Sequence, residues 1–422
     1  MREMKDSGTL AFGTIPSTWK ITKFKNLFCL RSTKNTGNRE LLSVYLDKGV
    51  ISYSDSDGMQ VHKPSESLAA YQNVEIGDFV LNNQQAWRGS VGVSKYRGII
   101  SPAYFVYSMT DECYAPYMNY LLRDSSMVHQ YELASRGVGT IQRNLFAPWL
   151  KNRIVLIPPI YEQKEIAIFL DSQCSEIDAI SADIQKEIEI LEQYKRSVIT
   201  EAVTKGLNPD AEMKDSGVTW CPQIPSHWQY SNPKGLFGLR TDRAFRDDRQ
   251  LTASQEYGIV YQDEYMEKTG NKVVTVTKDF SILKHVEPDD FVISMRSFQG
   301  GLEYSDKRGC ISSAYVMLIP NKKFVYAPFY RWFFKSSKYI NALQSTSNLV
   351  RDGQAMRYAN FVKVPLFIVP IEEQKAIASY LDEKIEKVNS ILAAKKKQLE
   401  ILSNYKKSLI YEYVTGKKEV LT

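Results

Sequence analysis

The chain has 422 residues, 43% of them hydrophobic and 24% charged, with a net charge of +6. Those proportions exclude a mainly disordered chain, and no run approaches the roughly 18 consecutive apolar residues that a membrane-spanning helix needs. Six surplus charges spread over this length make no strong field, so a polyanionic partner has to be argued from local clusters of Lys and Arg.

The opening segment, MREMKDSGTL, is polar and lacks the apolar core of a secretory signal. Five cysteines (Cys29, Cys113, Cys174, Cys221, Cys310) are scattered singly, with no CxxC pair. That odd, dispersed set argues against a disulfide framework, and the expected setting is a reducing cytoplasm. Residues 1–158 form the first expected domain. Short β-rich runs at Phe79–Leu81, Tyr104–Tyr107 and Arg153–Ile157 stand among Gly and Asn turns, and a helical pattern lies near Tyr117–Asp124. The expected class is α+β.

From Ile160 to Lys205 there is neither Gly nor Pro. Leu170, Ile177, Ile184, Leu191 and Val198 recur every seventh residue, and Ile166, Ile180 and Tyr194 suggest a second column. This spacing predicts a long coiled-coil helix over 159–206. Pro158 and Pro159 fit its start and Gly206 its end. At 1.5 Å per residue, about 44 residues give a rod of roughly 66 Å, too long for one small domain.

The remainder repeats the plan. MKDSG at Met4–Gly8 recurs at Met213–Gly217, and Ile15-Pro16-Ser17 with Trp19 recurs as Ile224-Pro225-Ser226 with Trp228. Asp78-Phe79-Val80 matches Asp290-Phe291-Val292, and Glu162-Gln163-Lys164 matches Glu373-Gln374-Lys375. Residues 52–72 and 261–284 show no useful likeness. The second domain is therefore expected over 207–369, with its own helical pattern near Pro328–Lys338, and the second helix over 370–416, followed by a short tail, 417–422. That helix carries a column of Leu381, Val388, Lys395, Leu402 and Leu409, with Ile377, Ile391 and Tyr405 as its second. Lys384, Lys395 and Gln398 interrupt the apolar pattern and are expected to snorkel or to fix register. The expected architecture is two pseudo-twofold-related α+β heads separated by two long antiparallel coiled-coil helices. Ile188, Ile385, Leu392 and Leu399 are expected on outer helix surfaces, open to partner helices.

The catalytic motifs sought are missing. No GxxxxGK[ST] phosphate loop occurs, nor the Pro-Pro-aromatic word of an amino-methyltransferase. Pro288-Asp289 and the ExK words at Glu162 and Glu373 do not assemble a nuclease motif, because the latter read as charges favoured at helix starts. His62, His129, His227 and His285 have no ligand spacing, so no metal site is expected.

The order of head, EQK-started helix, head and helix resembles the specificity subunit of Type I restriction–modification enzymes. The likeness is carried by IPSTW and IPSHW, by GDFVLNNQQAWRGSVGVSKYRGIISPAY with DDFVISMRSFQGGLEYSDKRGCISSAY, and by PPIYEQKEIAIFLD with PIEEQKAIASYLD. It implies a non-catalytic subunit whose two target-recognition domains each read half of a bipartite double-stranded DNA site. It also implies two methyltransferase and two restriction–translocase partner subunits, which would bind S-adenosylmethionine, ATP and Mg, leaving no cofactor in this chain. Half-sites about one helical turn, or roughly 34 Å, apart suit two related heads. The alternatives are a specificity protein for a fused methylase–nuclease polypeptide and an assembly scaffold that binds no DNA.

Two loops in each head are candidates for DNA contact. The first contains Gln84, Gln85, Trp87 and Arg88, matched by Arg296, Ser297 and Gln299. Gln suits adenine and Arg suits guanine in the major groove, so the Gln84/Arg296 and Arg88/Gln299 differences predict unlike half-sites. The second contains Arg136, Thr140, Gln142 and Arg143, matched by Arg351, Gln354 and Arg357. Small residues there would let the backbone approach phosphates, with Arg beside them. A third candidate is Arg240–Arg249 with Lys34. For each loop the plain alternative is a solvated turn; for Trp87 and Phe298 it is a core aromatic, and for Lys395–Lys397 a solvated helix face.

Overall fold

The computed structural model describes every residue except positions 1, 10, 36, 38, 57–63, 66, 139–141, 277–279, 295–296, 347–356 and 421–422, and it leaves out the side chains of Val138, Gln142 and Phe298. The chain divides into two compact units, Met1–Ile184 with Lys397–Thr422, and Gln185–Lys396. The long helices run over Ile160–Lys205 and Ile371–Val414, so each gives one part to each unit.

In unit 1 the central sheet is antiparallel, with strands ordered Phe28–Arg31, Tyr104–Met109, Phe79–Asn82, Val91–Val93. Unit 2 repeats it as Phe237–Arg240, Val316–Pro320, Phe291–Ile293, Glu303–Tyr304. Side chains alternate along a strand, so a continuous apolar run has to bury both faces. Phe79, Leu81 and Tyr107 face the main core, whereas Val80 and Val106 join a smaller cluster with Leu42, Val44 and Ile100. Phe291 and Leu318 against Val292 and Met317 divide in the same way in unit 2. Both heads are α+β, as the pattern predicts. The helical readings correspond to Ala115–Arg123 and Ala327–Phe333, each followed by a second helix, Ser125–Leu133 and Ser337–Ser345. Where the halves lack likeness, unit 2 has a helix, Gln262–Thr269, and unit 1 a 3-10 turn, Tyr53–Ser56.

The ends of the long helices belong to the head cores. Ile166, Leu170 and Ile177 from the first helix and Leu409 and Val414 from the second join Phe12, Trp19 and Tyr117. In unit 2, Ile199 and Val203 join Ile377, Leu381 and Trp228. The EQ words are clasps at these junctions. Trp19 Nε1 donates to Glu162 at 3.0 Å and Trp228 Nε1 to Glu373 at 3.0 Å. Gln163, fully buried, accepts the Tyr114 N–H at 2.8 Å and donates to Glu112 O and Pro158 O at 2.8 and 2.9 Å. Gln374 does the same with Tyr326 N–H, Phe324 O and Val369 O at 2.7, 2.8 and 2.7 Å. Asp171 accepts from Tyr120 and Asp382 from Trp332, 2.7 Å in both cases. The helix-start charges thus do more than favour the dipole: they tie the IPS-x-W turn to the helix.

Within each unit the two helix segments run antiparallel. In unit 1 Phe169 lies beside Tyr413 and Asp178 pairs with Lys406; in unit 2 Glu187 pairs with Lys395 and Lys195 bonds Asn389. Leu170, Ile177, Leu381, Val388 and Leu409 are buried, and Ile184, Leu191, Val198 and Leu402 are half-buried. The second column differs from the sequence reading. Ile180, Tyr194, Ile391 and Tyr405 are exposed, while Ile188, Ile385 and Leu392, expected outside, are buried and Leu399 is half-buried. The companion column lies four residues after the first, not three, and Lys395 and Lys406 sit in it or beside it. Of the expected interruptions, Gln398 is exposed and lies outside the seam.

Lys395 is then a charge held at an apolar seam, paired with a half-exposed Glu187 at 2.5 Å. Such a pair contributes about 0–1 kcal/mol, and burying a leucine there contributes more. Lys395→Leu should therefore stabilise the chain by about 1 kcal/mol in denaturant unfolding. A comparable loss instead would mean that the pair holds the seam together.

Candidate nucleic-acid interface

In unit 1 the strand Phe79–Asn82 leaves the core and turns through a 3-10 helix, Ala86–Arg88. Ala86 is fully buried and anchors the turn, which Gly89 closes at φ 100°. A side chain there would be strained in that left-handed conformation and would crowd Val128. Gln84 and Arg88 are exposed by this geometry, and Gln85 and Trp87 are half-buried. Trp87 Nε1 donates to Gln84 O at 3.0 Å, which fixes the indole.

The second candidate segment is an antiparallel ribbon, Ser135–Val138 with Gln142–Leu145. Leu145 N–H donates to Asn83 O at 3.0 Å, so the ribbon adjoins the first loop although some fifty residues separate them in sequence. Trp87 carries both segments: the Arg88 and Arg143 guanidinium carbons lie 4.6 and 5.0 Å from its ring centre. Arg143 also bonds Glu132 at 2.8 Å. On the ribbon's other side, Arg136 lies 3.6 Å from the Phe146 ring centre and 4.4 Å from Trp149. Three of the sequence candidates, Trp87, Arg88 and Arg143, thus form one cationic, aromatic cluster, and Arg136 forms a second on the opposite face of the ribbon. Glu132 completes the first cluster and Phe146 and Trp149 the second; the sequence did not single them out, because nothing local marks them as neighbours of Arg143 or Arg136.

Unit 2 is described less completely here. Arg296, Arg351 and Gln354, like Thr140 in unit 1, lie outside the described residues, and of Gln142 only the backbone is described. Gln299 and Arg357 are exposed. Ser297 corrects the sequence reading: it is fully buried and its hydroxyl accepts the Ser294 N–H at 2.9 Å. It shapes the turn into a short helix and does not face solvent. Arg357 caps and Asn360 lies within the helix Tyr358–Phe361, as Phe146 caps and Trp149 lies within Ala147–Leu150 in unit 1.

The third candidate divides. Arg240 forks onto Asp290 at 2.6 and 3.0 Å, as Arg31 does onto Asp78 at 2.9 and 3.2 Å, so both are scaffold ion pairs. Burial nevertheless pushes both carboxyl groups above their ordinary range, outweighing the arginines. Arg249 forks onto Asp263 while lying 3.6 Å from the Tyr261 ring centre. Buried His285 bonds Asp248 and Glu287 at 2.7 and 2.8 Å and holds the 242–248 loop in place. Lys34 is exposed. Burial pushes the Cys113 and Cys310 thiols up to about 11, far from the reactive thiolate range. Among the described residues no group of three His, Cys, Asp or Glu could hold a metal, and no helix is long and apolar enough to cross a membrane.

Residues 225–401 match the Type I restriction modification DNA specificity domain. The putative type I restriction enzyme MjaX specificity subunit of Methanocaldococcus jannaschii is 24% identical, covering 97% of this chain and 96% of that protein. The MjaVIII specificity subunit of the same organism is 22% identical over 72% of this chain and 70% of its own length. In fold, the chain is similar to one from a solved type I R-M system, with a TM-score of 0.68 at 15% identity, covering 96% of this chain and 99% of that one. The HsdS subunit of Thermoanaerobacter tengcongensis gives a TM-score of 0.50 at 14% identity, covering 98% and 100%. The repeated heads, the paired helices and the match of residues 225–401 agree in making this chain similar, over nearly its whole length, to specificity subunits of Type I restriction–modification enzymes.

Proposed function

We propose that this subunit reads a bipartite, asymmetric double-stranded DNA site, one half-site per head, and docks methyltransferase and restriction subunits. The observation that carries this is one scaffold built twice with different exposed groups at matching places. Unit 1 offers exposed Gln84, Arg88 and Arg136 with half-buried Arg143 beside them, and unit 2 offers exposed Gln299 and Arg357. Equal scaffolds approach related half-sites in related poses, and unlike groups read unlike bases. Arg296, Arg351, Gln354, Thr140, Gln142 and Gln85 stay in the proposed contact set on sequence grounds.

The exposed helix positions support the docking part. Ile180, Ile401 and Tyr405 are exposed in unit 1, and Ile391, Ile190 and Tyr194 in unit 2. Each trio holds the repeat-equivalents of the other. Two equivalent apolar sets suit two copies of one partner, in keeping with two methyltransferase subunits and two restriction–translocase subunits. In this reading S-adenosylmethionine, ATP and Mg belong to those partners.

Co-expression with the cognate methyltransferase, followed by single-molecule sequencing of the DNA, should yield one bipartite motif with an unread spacer. A protein scaffold would yield none, and the purified chain would show neither sequence preference nor a steep salt dependence of DNA binding. Inserting four residues at matched positions in both long helices adds about 6 Å to each. The spacer should then lengthen by one or two base pairs while both half-sites persist. An unchanged spacer would refute the helices as its ruler.

A further inference from the structure

The strongest unassigned arrangement is the arginine corner of unit 1. Arg136 sits between Phe146 and Trp149, whose rings stand at 83° with centroids 5.4 Å apart. Its strand pairs Arg136 with Asn144 and Gly137 with Arg143, so Arg136 and Arg143 project from opposite faces of the ribbon. The two arginines differ in how they are held. The charge of Arg143 is met by Glu132, whereas Arg136 is exposed and bonds no carboxylate among the described residues.

Stacking fixes the plane of a guanidinium without using its N–H donors, and that pre-orientation favours a planar, two-acceptor partner. A two-stranded ribbon also fits the major groove, where the O6 and N7 of guanine form such a pair. At the positions matching Phe146 and Trp149, unit 2 has Arg357 and Asn360.

Resting on the proposed DNA reading, we infer that Arg136 reads one guanine in the half-site of unit 1, with Phe146 and Trp149 as its positioning residues. A lysine keeps the charge but not the fork, so it separates base reading from phosphate contact.

The test uses the full chain co-expressed with its methyltransferase, with methylated motifs mapped by sequencing and binding measured on guanine-substituted duplexes. Arg136→Lys and Arg136→Ala should both relax one position of one half-site, lowering discrimination there about 5- to 150-fold. Trp149→Ala should lower it about 2- to 5-fold at the same position. The other half-site should be unchanged, which checks folding internally. Uniform weakening by Arg136→Ala, with Arg136→Lys behaving as wild type, would mark a phosphate contact and overturn the inference. So would an unchanged motif in all three variants. If the wild-type chain shows no sequence preference, the DNA reading itself falls, and this inference with it.

Discussion

Deleting the chain from Val414 onward should unfold unit 1 and spare unit 2. The deleted residues close the first head's core. Val414 and Thr415 are fully buried, and Tyr117 donates its hydroxyl to Val414 O at 3.2 Å. Arg2 donates to Gly416 O at 3.0 Å, and Lys417 donates to Phe12 O at 2.6 Å and to Thr14 O. Gly416 makes this turn at φ +74°, and a Cβ there would lie 2.4 Å from Pro16 Cδ, so only glycine lets the chain fold onto Pro16 and Trp19. Removing one buried aliphatic side chain typically costs about 2–5 kcal/mol, and each orphaned buried polar group about 1–3 kcal/mol more. The total is roughly the stability of a small domain. Hydrogen exchange read by mass spectrometry should show protection lost over residues 1–184 and kept over 185–396. Protection retained in unit 1 would show that the helix terminus is decoration.

Gln163→Leu should destabilise unit 1 by about 3–5 kcal/mol, and Gln374→Leu unit 2 by a similar amount. Leucine approximates the volume but leaves one backbone N–H and two carbonyl groups without the partner that now serves them. Pro158 O is buried at the start of the long helix, and the Tyr114 N–H and Glu112 O are part-buried at the entry to the helix Ala115–Arg123, so water replaces the glutamine only incompletely. The two variants act on different units, so exchange protection should fall in the head that carries the substitution. Equal losses in both heads, or a cost under about 1 kcal/mol, would show that the glutamines are not clasps.

Much of this was legible in the sequence because it depends on neighbours along the chain. The repeat, the Gly- and Pro-free helices and their seven-residue column follow from local periodicity. The second seam column did not. Ile180 stands three residues after Ile177, and Ile188 four after Ile184, so both helix faces beside the main column carry apolar residues. Only antiparallel packing against the other helix chose Ile188 over Ile180. Ser297 looked like a polar loop residue, and its burial depends on the hydroxyl closing a turn onto Ser294.

The interface shows the same division. Composition marked Trp87, Arg88, Arg136 and Arg143 as able to meet DNA, in two segments with no stated relation. The bond from Leu145 to Asn83 joined the two segments, the shared Trp87 indole brought Arg88 and Arg143 together, and Phe146 and Trp149 gained a role by lying against Arg136 on the ribbon's other face. By itself the sequence determined the two-copy plan, the long helices and the chemistry available in each loop. The tertiary structure decided which helix face is buried, how each head is clasped to its helices and which arginines share a surface. Those outcomes turn on contacts between residues far apart in the chain, which no local pattern encodes.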